Sequence, residues 1–379
     1  MHRWRSIIDS KVEKPLVIAI AGGKGGVGKT VLTAAIGIAL AETGHRTVVA
    51  DADFGGANLH QALGIPSPPA TIREFLVRAQ PDINRLVLET FMPNLYLLSG
   101  AGHAVGLANI TFNMKYRFIR HLNRLDADYV LLDIGAGTAF NELDYFLAAP
   151  VGVVIITPEP LAIQNGYSFV KLGLFRQLMR RFRAQPEVYE VLKNNLDLQD
   201  FHAGPTLRTL TTMIAQLGRQ VVETWEEEIA AFRPQIVLNM LETRQDYEEG
   251  MALLIAANDI LGLRIHHLHH VHYDEGLRLA VKEGRPEMIL SRALGAAEDI
   301  RYLVQHLFFR KKYLAPAFRA TVAPVNGPEA AATENRVICS VHCKLWGNCS
   351  VQQGGYPCRI KVIGYVNRSE KERQDESAA

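Results

Sequence analysis

No apolar run in this 379-residue chain is long enough to cross a membrane as a helix. The longest, 15–21 and 147–157, fall short of the roughly 18 to 20 residues that a span requires, and Pro150 interrupts the second. The amino-terminal MHRWRSIIDSKVEKP is basic but lacks the continuous apolar region of a secretory signal, so a cytoplasmic location is expected. Cysteine is scarce: there are four, none before Cys339. A secreted disulfide scaffold would spread them through its fold, whereas a late cluster in a cytoplasmic chain points to a metal. An excess of one charge is missing too. With 41 basic and 39 acidic residues the chain carries +2, which gives no reason to expect sequence-specific nucleic-acid binding. Internal repeats are absent. What remains is a chain with 48% apolar residues, enough to build a sizeable core. At roughly 150 residues per domain, its length suits one large domain with an appendage, or two domains.

Short runs of Val, Ile and Leu, ended by Gly or Asp, alternate with helical stretches through the first three hundred residues. Buried strands are expected at 16–21, 47–51, 95–99, 129–133, 152–157, 235–239 and 264–268, with helices at 29–43, 116–125 and 163–182. Strands apolar on both faces belong to a parallel sheet covered by helices, so the fold class is α/β, doubly wound and mostly parallel. The expected organisation is a main α/β domain over 1–314 with a helical insertion at about 183–233, a linker at 315–334 rich in Ala, Pro and Thr, and a Cys-rich module with a charged tail at 335–379. The insertion, too long for a single crossover, reads as two or three helices. It has an apolar face within 207–229 and a solvated one at Glu226, Glu227 and Glu228. It suits either packing on the domain edge or contact with a partner.

The strongest local pattern is PLVIAIAGGKGGVGKTVLTAAIGIAL, in which Gly23, Gly28, Lys29 and Thr30 satisfy GxxxxGK(S/T) between a strand and a helix. Glycines let successive backbone N–H groups face one centre, and the positive end of the helix adds to the attraction for phosphate. The nucleotide-binding set is Gly23, Gly25, Gly26, Val27, Gly28, Lys29, Thr30 and Val31. Lys29 supplies a charge for the terminal phosphates, and the Thr30 hydroxyl suits a magnesium shell. Asp51 and Asp53 end one strand in VVADADFGGANL, and Asp133 ends another in DYVLLDIGAGT. Acids at such strand ends hold magnesium through water or orient the water that attacks the γ-phosphate; a lone one is as often a helix cap.

The run KGGVGKT, with Lys24 five residues before Lys29, resembles the deviant Walker A motif of the MinD/ParA ATPases. DADFGGANLHQALG, LLDIGAGT, VVIITPEPLAIQNGYSFVK and HHVHYDEGLRLAVKEGRP are similar to later segments of that family, and TPEPLAI, ANL and YDEGLRLAV look most like its FlhG branch, which governs flagellar number and placement. The resemblance spans about 16–307 without the insertion. It implies Mg-ATP as ligand, hydrolysis to ADP and phosphate, an ATP-dependent homodimer, and a protein partner that stimulates turnover. By the same resemblance Lys24 reaches the nucleotide of the other subunit and Asp53 orients the attacking water. Asp51 and Asp133 act around magnesium, Asn58 lies in the nucleotide-responsive loop, and Asn239 contacts adenine.

Asn165 departs from the pattern, standing where many relatives have Asp, and the resemblance then implies a difference in turnover or in coupling to the dimer interface. The carboxyl end has the cysteine module in place of a terminal amphipathic helix. The expected helix at 296–314 is apolar on one side and basic at its end, which suits either closing the domain or peripheral contact with an anionic bilayer at the inner face of the membrane.

Cys339, Cys343, Cys349 and Cys358 can complete a tetrahedral zinc shell or hold an iron–sulfur cluster, with His342 as a substitute ligand; redox thiols and inert cysteines are the other readings. His266, His267, His269, His270 and His272 crowd one strand, whose side chains alternate and so cannot all meet one ion; exposed neutral imidazoles are set beside a metal-binding or pH-sensitive face. Three functions compete: a positioning ATPase that works as a molecular switch for flagellar number, flagellar placement or the division site, an iron–sulfur carrier ATPase of the Mrp kind, and a nucleotide-controlled interaction protein with negligible turnover. The expected CxxC of the carrier is missing from the late part of the main domain.

Overall fold

The computed structural model describes residues 14–101, 111–195, 207–265, 268–291 and 295–309. Its elements run β1 (Leu16–Ala21), α1 (Lys29–Glu42), β2 (Thr47–Asp51), α2 (Leu59–Ala62), α3 (Ile72–Leu76), β3 (Val87–Glu89), β4 (Leu95–Leu98), α4 (Phe112–Leu122), β5 (Tyr129–Asp133), α5 (Phe140–Phe146), β6 (Val151–Ile156) and α6 (Pro160–Arg181). Then follow α7 (Pro186–Asn195), α8 (Leu207–Ala215), α9 (Arg219–Ala231), β7 (Gln235–Leu241), α10 (Arg244–Leu261), β8 (Leu268–His272), α11 (Glu275–Lys282) and α12 (Gly295–Val304), which a π-turn at Gln305–Phe309 extends.

The eight strands form one sheet in the order β3-β4-β2-β5-β1-β6-β7-β8. All pairs are parallel except β3 with β4. The pleat decides which residue enters which core. Val17, Ala19 and Ala21 face a layer containing Phe75, Phe118, Phe169 and Trp225, while Ile18 and Ile20 face Leu32, Ile36 and Leu40 of α1 with Ile300 and Leu303 of α12. Both faces are therefore covered, as the two-sided apolar strands require.

Two parts differ from the sequence expectation. Residues 264–265 are not strand. Asn258, near the end of α10, clips Ile265 with both amide atoms, donating to its carbonyl at 2.8 Å and accepting its N–H at 2.9 Å. The pairing is instead made by LHHVH of β8, whose two apolar residues, Leu268 and Val271, lie three apart and face opposite cores, so no alternation marks the strand. The short antiparallel β3 was also unexpected; three residues carry too little pattern.

Three helices, α7 to α9, occupy the stretch read as added helices. Trp225 of α9 is fully buried, and its ring N–H donates to Thr211 Oγ1 at 2.9 Å. Gln177 of α6 donates to the Glu228 carbonyl and carboxylate, each at 3.0 Å, so this group is tied to the long helix α6. Among the described residues no helix is long and apolar enough to cross a membrane. The linker, the four cysteines with His342, His266, His267 and the basic end expected for the last helix lie outside the described residues.

Candidate nucleotide site

β1, β2 and β5 end together, and the loop 22–28 closes over their ends before α1 begins at Lys29. Gly28 caps α1 in the left-handed region at φ 88°. A Cβ there would also fall 2.3 Å from Asn239 Nδ2, so both dihedral and space require glycine. At Gly23 a Cβ would lie 2.1 Å from the Asn165 carbonyl oxygen, so the loop rests directly on the backbone of α6.

Asn239 donates from Nδ2 to the Val27 carbonyl at 2.9 Å. A bulge in β7 helps aim it: the following residue, Met240, is left-handed at φ 60°, and the register with β8 shifts there. The amide expected at adenine thus holds up the phosphate loop, leaving its other atom to be considered for a base. Lys24, Gly25 and Gly26 form the exposed tip of the loop, and Val31 is half-buried on α1.

The acids gather behind this loop. Asp51 and Asp133 are paired in the β2–β5 register and are almost completely buried. Thr30 donates to Asp133 Oδ2 at 2.7 Å and Thr33 to Oδ1 at 3.4 Å. Asp51 accepts the backbone N–H groups of Asp53 and Leu59, each at 3.1 Å. Burial, reinforced by the Asp133 charge, pushes the Asp51 carboxyl up to about 7. Burial likewise raises Asp133 to about 6, against the opposing Thr30 hydrogen bond and Lys29 charge. Lys29 is itself buried, which lowers its pKa while Asp133 and Asp53 pull the other way. The paired carboxyls of Asp51 and Asp133 have one buried ammonium beside them, acting on Asp133, a deficit of positive charge that a dication would correct. The donor chemistry fits magnesium: the Thr30 hydroxyl would be a direct ligand, with Asp51 and Asp133 holding shell waters.

Asp53 is half-exposed and accepts the Gly56 N–H at 3.0 Å. Asn58, exposed, is the N-cap residue of α2, seven residues after Asp51 at the end of β2. One residue that sequence reasoning missed is Glu142, in the first turn of α5. It lies beside Asp53 across Gly135; burial, with the Asp53 charge adding to it, raises its pKa, and its Oε2 is buried without a hydrogen-bond partner. Only proximity to Asp53 marks it, and spacing in the sequence does not encode that proximity. A second missed contact is Gly100, where a Cβ would come within 2.4 Å of the Asp51 carbonyl oxygen.

Comparison with known proteins identifies a family for the chain. Residues 18–287 match the family described as CobQ/CobB/MinD/ParA nucleotide binding domain. The chain is 32% identical over 203 residues to a putative septum site-determining protein MinD of Guillardia theta, covering 50% of this chain and 73% of that protein. It is 27% identical over 212 residues to the flagellum site-determining protein YlxH of Helicobacter pylori, covering 52% and 71%. Among solved structures, the septum site-determining protein MinD of Pyrococcus horikoshii, complexed with Mg-ADP, superposes with a TM-score of 0.51 at 18% identity, covering 79% of this chain and 99% of that one. At that identity the likeness speaks for the fold alone.

Proposed function

The chain belongs to the CobQ/CobB/MinD/ParA nucleotide-binding family, and from that premise we propose that it is an ATP-switched homodimer that hydrolyses ATP to ADP and phosphate and uses the cycle to place a cellular structure. The observation that carries the reading is the buried Asp51–Asp133 pair beside Lys29 and Thr30 at the mouth of a glycine loop. Loop N–H groups and Lys29 would bind the β- and γ-phosphates. Magnesium, when bound, neutralises phosphate charge; Thr30, Asp51 and Asp133 would hold it. Asp53 would orient water for in-line attack on the γ-phosphorus; the new O–P bond forms as the bond to the β-γ bridging oxygen breaks, that oxygen leaves with ADP, and the water proton passes to an oxygen of the released phosphate. Most of the acceleration would come from positioning and charge. Lys24, exposed at the loop tip, would meet a second copy, where a cross-subunit cation would stabilise the dimer only when ATP is present. The names of the septum-site and flagellum-site relatives support a role in placement.

The test is Asp53→Ala in the full chain with Mg-ATP. Saturable nucleotide binding, loss of phosphate release and an accumulated dimer in sedimentation are expected. A monomer at saturating nucleotide would overturn the dimer reading, and undiminished phosphate release would remove Asp53 from the water site.

A further inference from the structure

The histidine run contributes something that the nucleotide site does not use. β8 is an edge strand, and His270 and His272, two residues apart, point to the same side of it. Asp299 of α12 reaches round that edge. One of its carboxylate oxygens accepts the His272 backbone N–H at 2.9 Å and lies 2.8 Å from His272 Nδ1. The His270 and His272 rings are 5.2 Å apart by centroid, and Tyr247 of α10 stands edge-on behind His270. One ligand atom from each of His270, His272 and Asp299 lies within 4.8 Å of the other two.

We infer that His270, His272 and Asp299 form a binding site for a transition-metal dication of the zinc type, separate from the magnesium position at the phosphate loop. Two imidazoles and one carboxylate make a nitrogen-rich donor set that suits zinc and disfavours magnesium, which takes oxygen ligands. Ligands around tetrahedral zinc, at about 2.0 Å bonds, stand roughly 3.3 Å from one another. Small side-chain rotations would therefore close the present triangle, and water would complete the shell from the open edge, where His272 is exposed. The hydrogen bond from the His272 backbone fixes the position of Asp299, and a metal would draw on all three side chains. The ion would fasten the edge strand to α12. That helix packs on α1, the helix of the phosphate loop, and Arg301 of α12 also holds Glu42 of α1 at 3.0 and 3.1 Å.

The experiment uses the full chain with Cys339, Cys343, Cys349 and Cys358 changed to Ser, stripped with chelator, free of nucleotide and titrated with cobalt(II). One equivalent is expected, giving weak d–d bands without a thiolate charge-transfer band. His270→Ala and His272→Ala should each weaken it at least tenfold. Asp299→Asn keeps an oxygen for the His272 N–H and should weaken cobalt binding without lowering the metal-free melting temperature. Unchanged binding of an ATP analogue shows that the variants are folded. The inference is overturned if no cobalt binds, if the His270→Ala/His272→Ala double variant binds it as the parent does, or if uptake disappears only when Asp51 and Asp133 are replaced.

Discussion

Two buried acid clusters lie eleven residues apart in the chain and behave oppositely. Asp144 of α5 is as inaccessible as Asp133, yet it is surrounded by cations: Lys115 Nζ at 2.5 Å, Arg176 Nε at 2.9 Å and Arg180 at 3.7 Å. Burial alone would raise its pKa, but the hydrogen bonds from Arg176 and Lys115 outweigh burial and hold the carboxyl below its usual range. Asp51 and Asp133 have no such surplus, and both are raised. The difference separates a buried charge that completes the fold from one that awaits a ligand. Asp144 joins α4, α5 and α6 by making its neutralising partners part of the chain; the strand-end pair leaves that task to something from solution.

The comparison can be broken most forcefully at Lys29. Lys29→Ala removes the buried cation of the nucleotide cluster, and nucleotide affinity should fall on the order of 100-fold, the scale of losing one partner of a buried charged pair. Titration with a fluorescent ATP analogue measures it; an affinity within threefold of the parent would refute the assignment. Next in size are two matched substitutions. Asp144→Asn should cost about 3 kcal/mol of stability in urea, because it strands Lys115 and Arg176, while leaving nucleotide affinity nearly intact. Asp133→Asn should do the reverse, raising the melting temperature of the nucleotide-free protein at pH 8 and abolishing the magnesium dependence of binding. Equal responses from the two would erase the distinction.

The smallest effect is on pH dependence. Asp51 and Asp133 hold protons more tightly folded than unfolded, where a carboxyl titrates near 3.9. Stability of the nucleotide-free protein should therefore fall as pH rises from about 4 towards 7, then level off. Asp144, held low, contributes stability above the unfolded value that is lost as pH falls through its depressed pKa. Urea midpoints across pH should show a shallower neutral limb for Asp133→Asn and a shallower acid limb for Asp144→Asn.

Much of this was legible in the residues. GxxxxGKT between a strand and a helix located the loop, and two apolar runs ending in Asp brought Asp51 and Asp133 side by side, because parallel strands end on the same side of a sheet. Glu142 was not legible, since its relation to Asp53 arises only when α5 folds back over Gly135. Nor was the role of Asn239: a bulge at Met240 turns its amide onto Val27, and no periodicity announces a bulge. The edge strand was misplaced by four residues because a polar run of histidines concealed it, and the same histidines find their acid partner on a helix 27 residues later.

Gly23 lies so tightly on Asn165 that the loop has no slack against α6. That helix is 22 residues long, a rod of about 33 Å at 1.5 Å per residue. Near its far end Gln177 and Arg181 grip Glu228 of α9. One straight element thus joins the phosphate loop to the three added helices, with a backbone contact at one end and a carboxylate grip at the other.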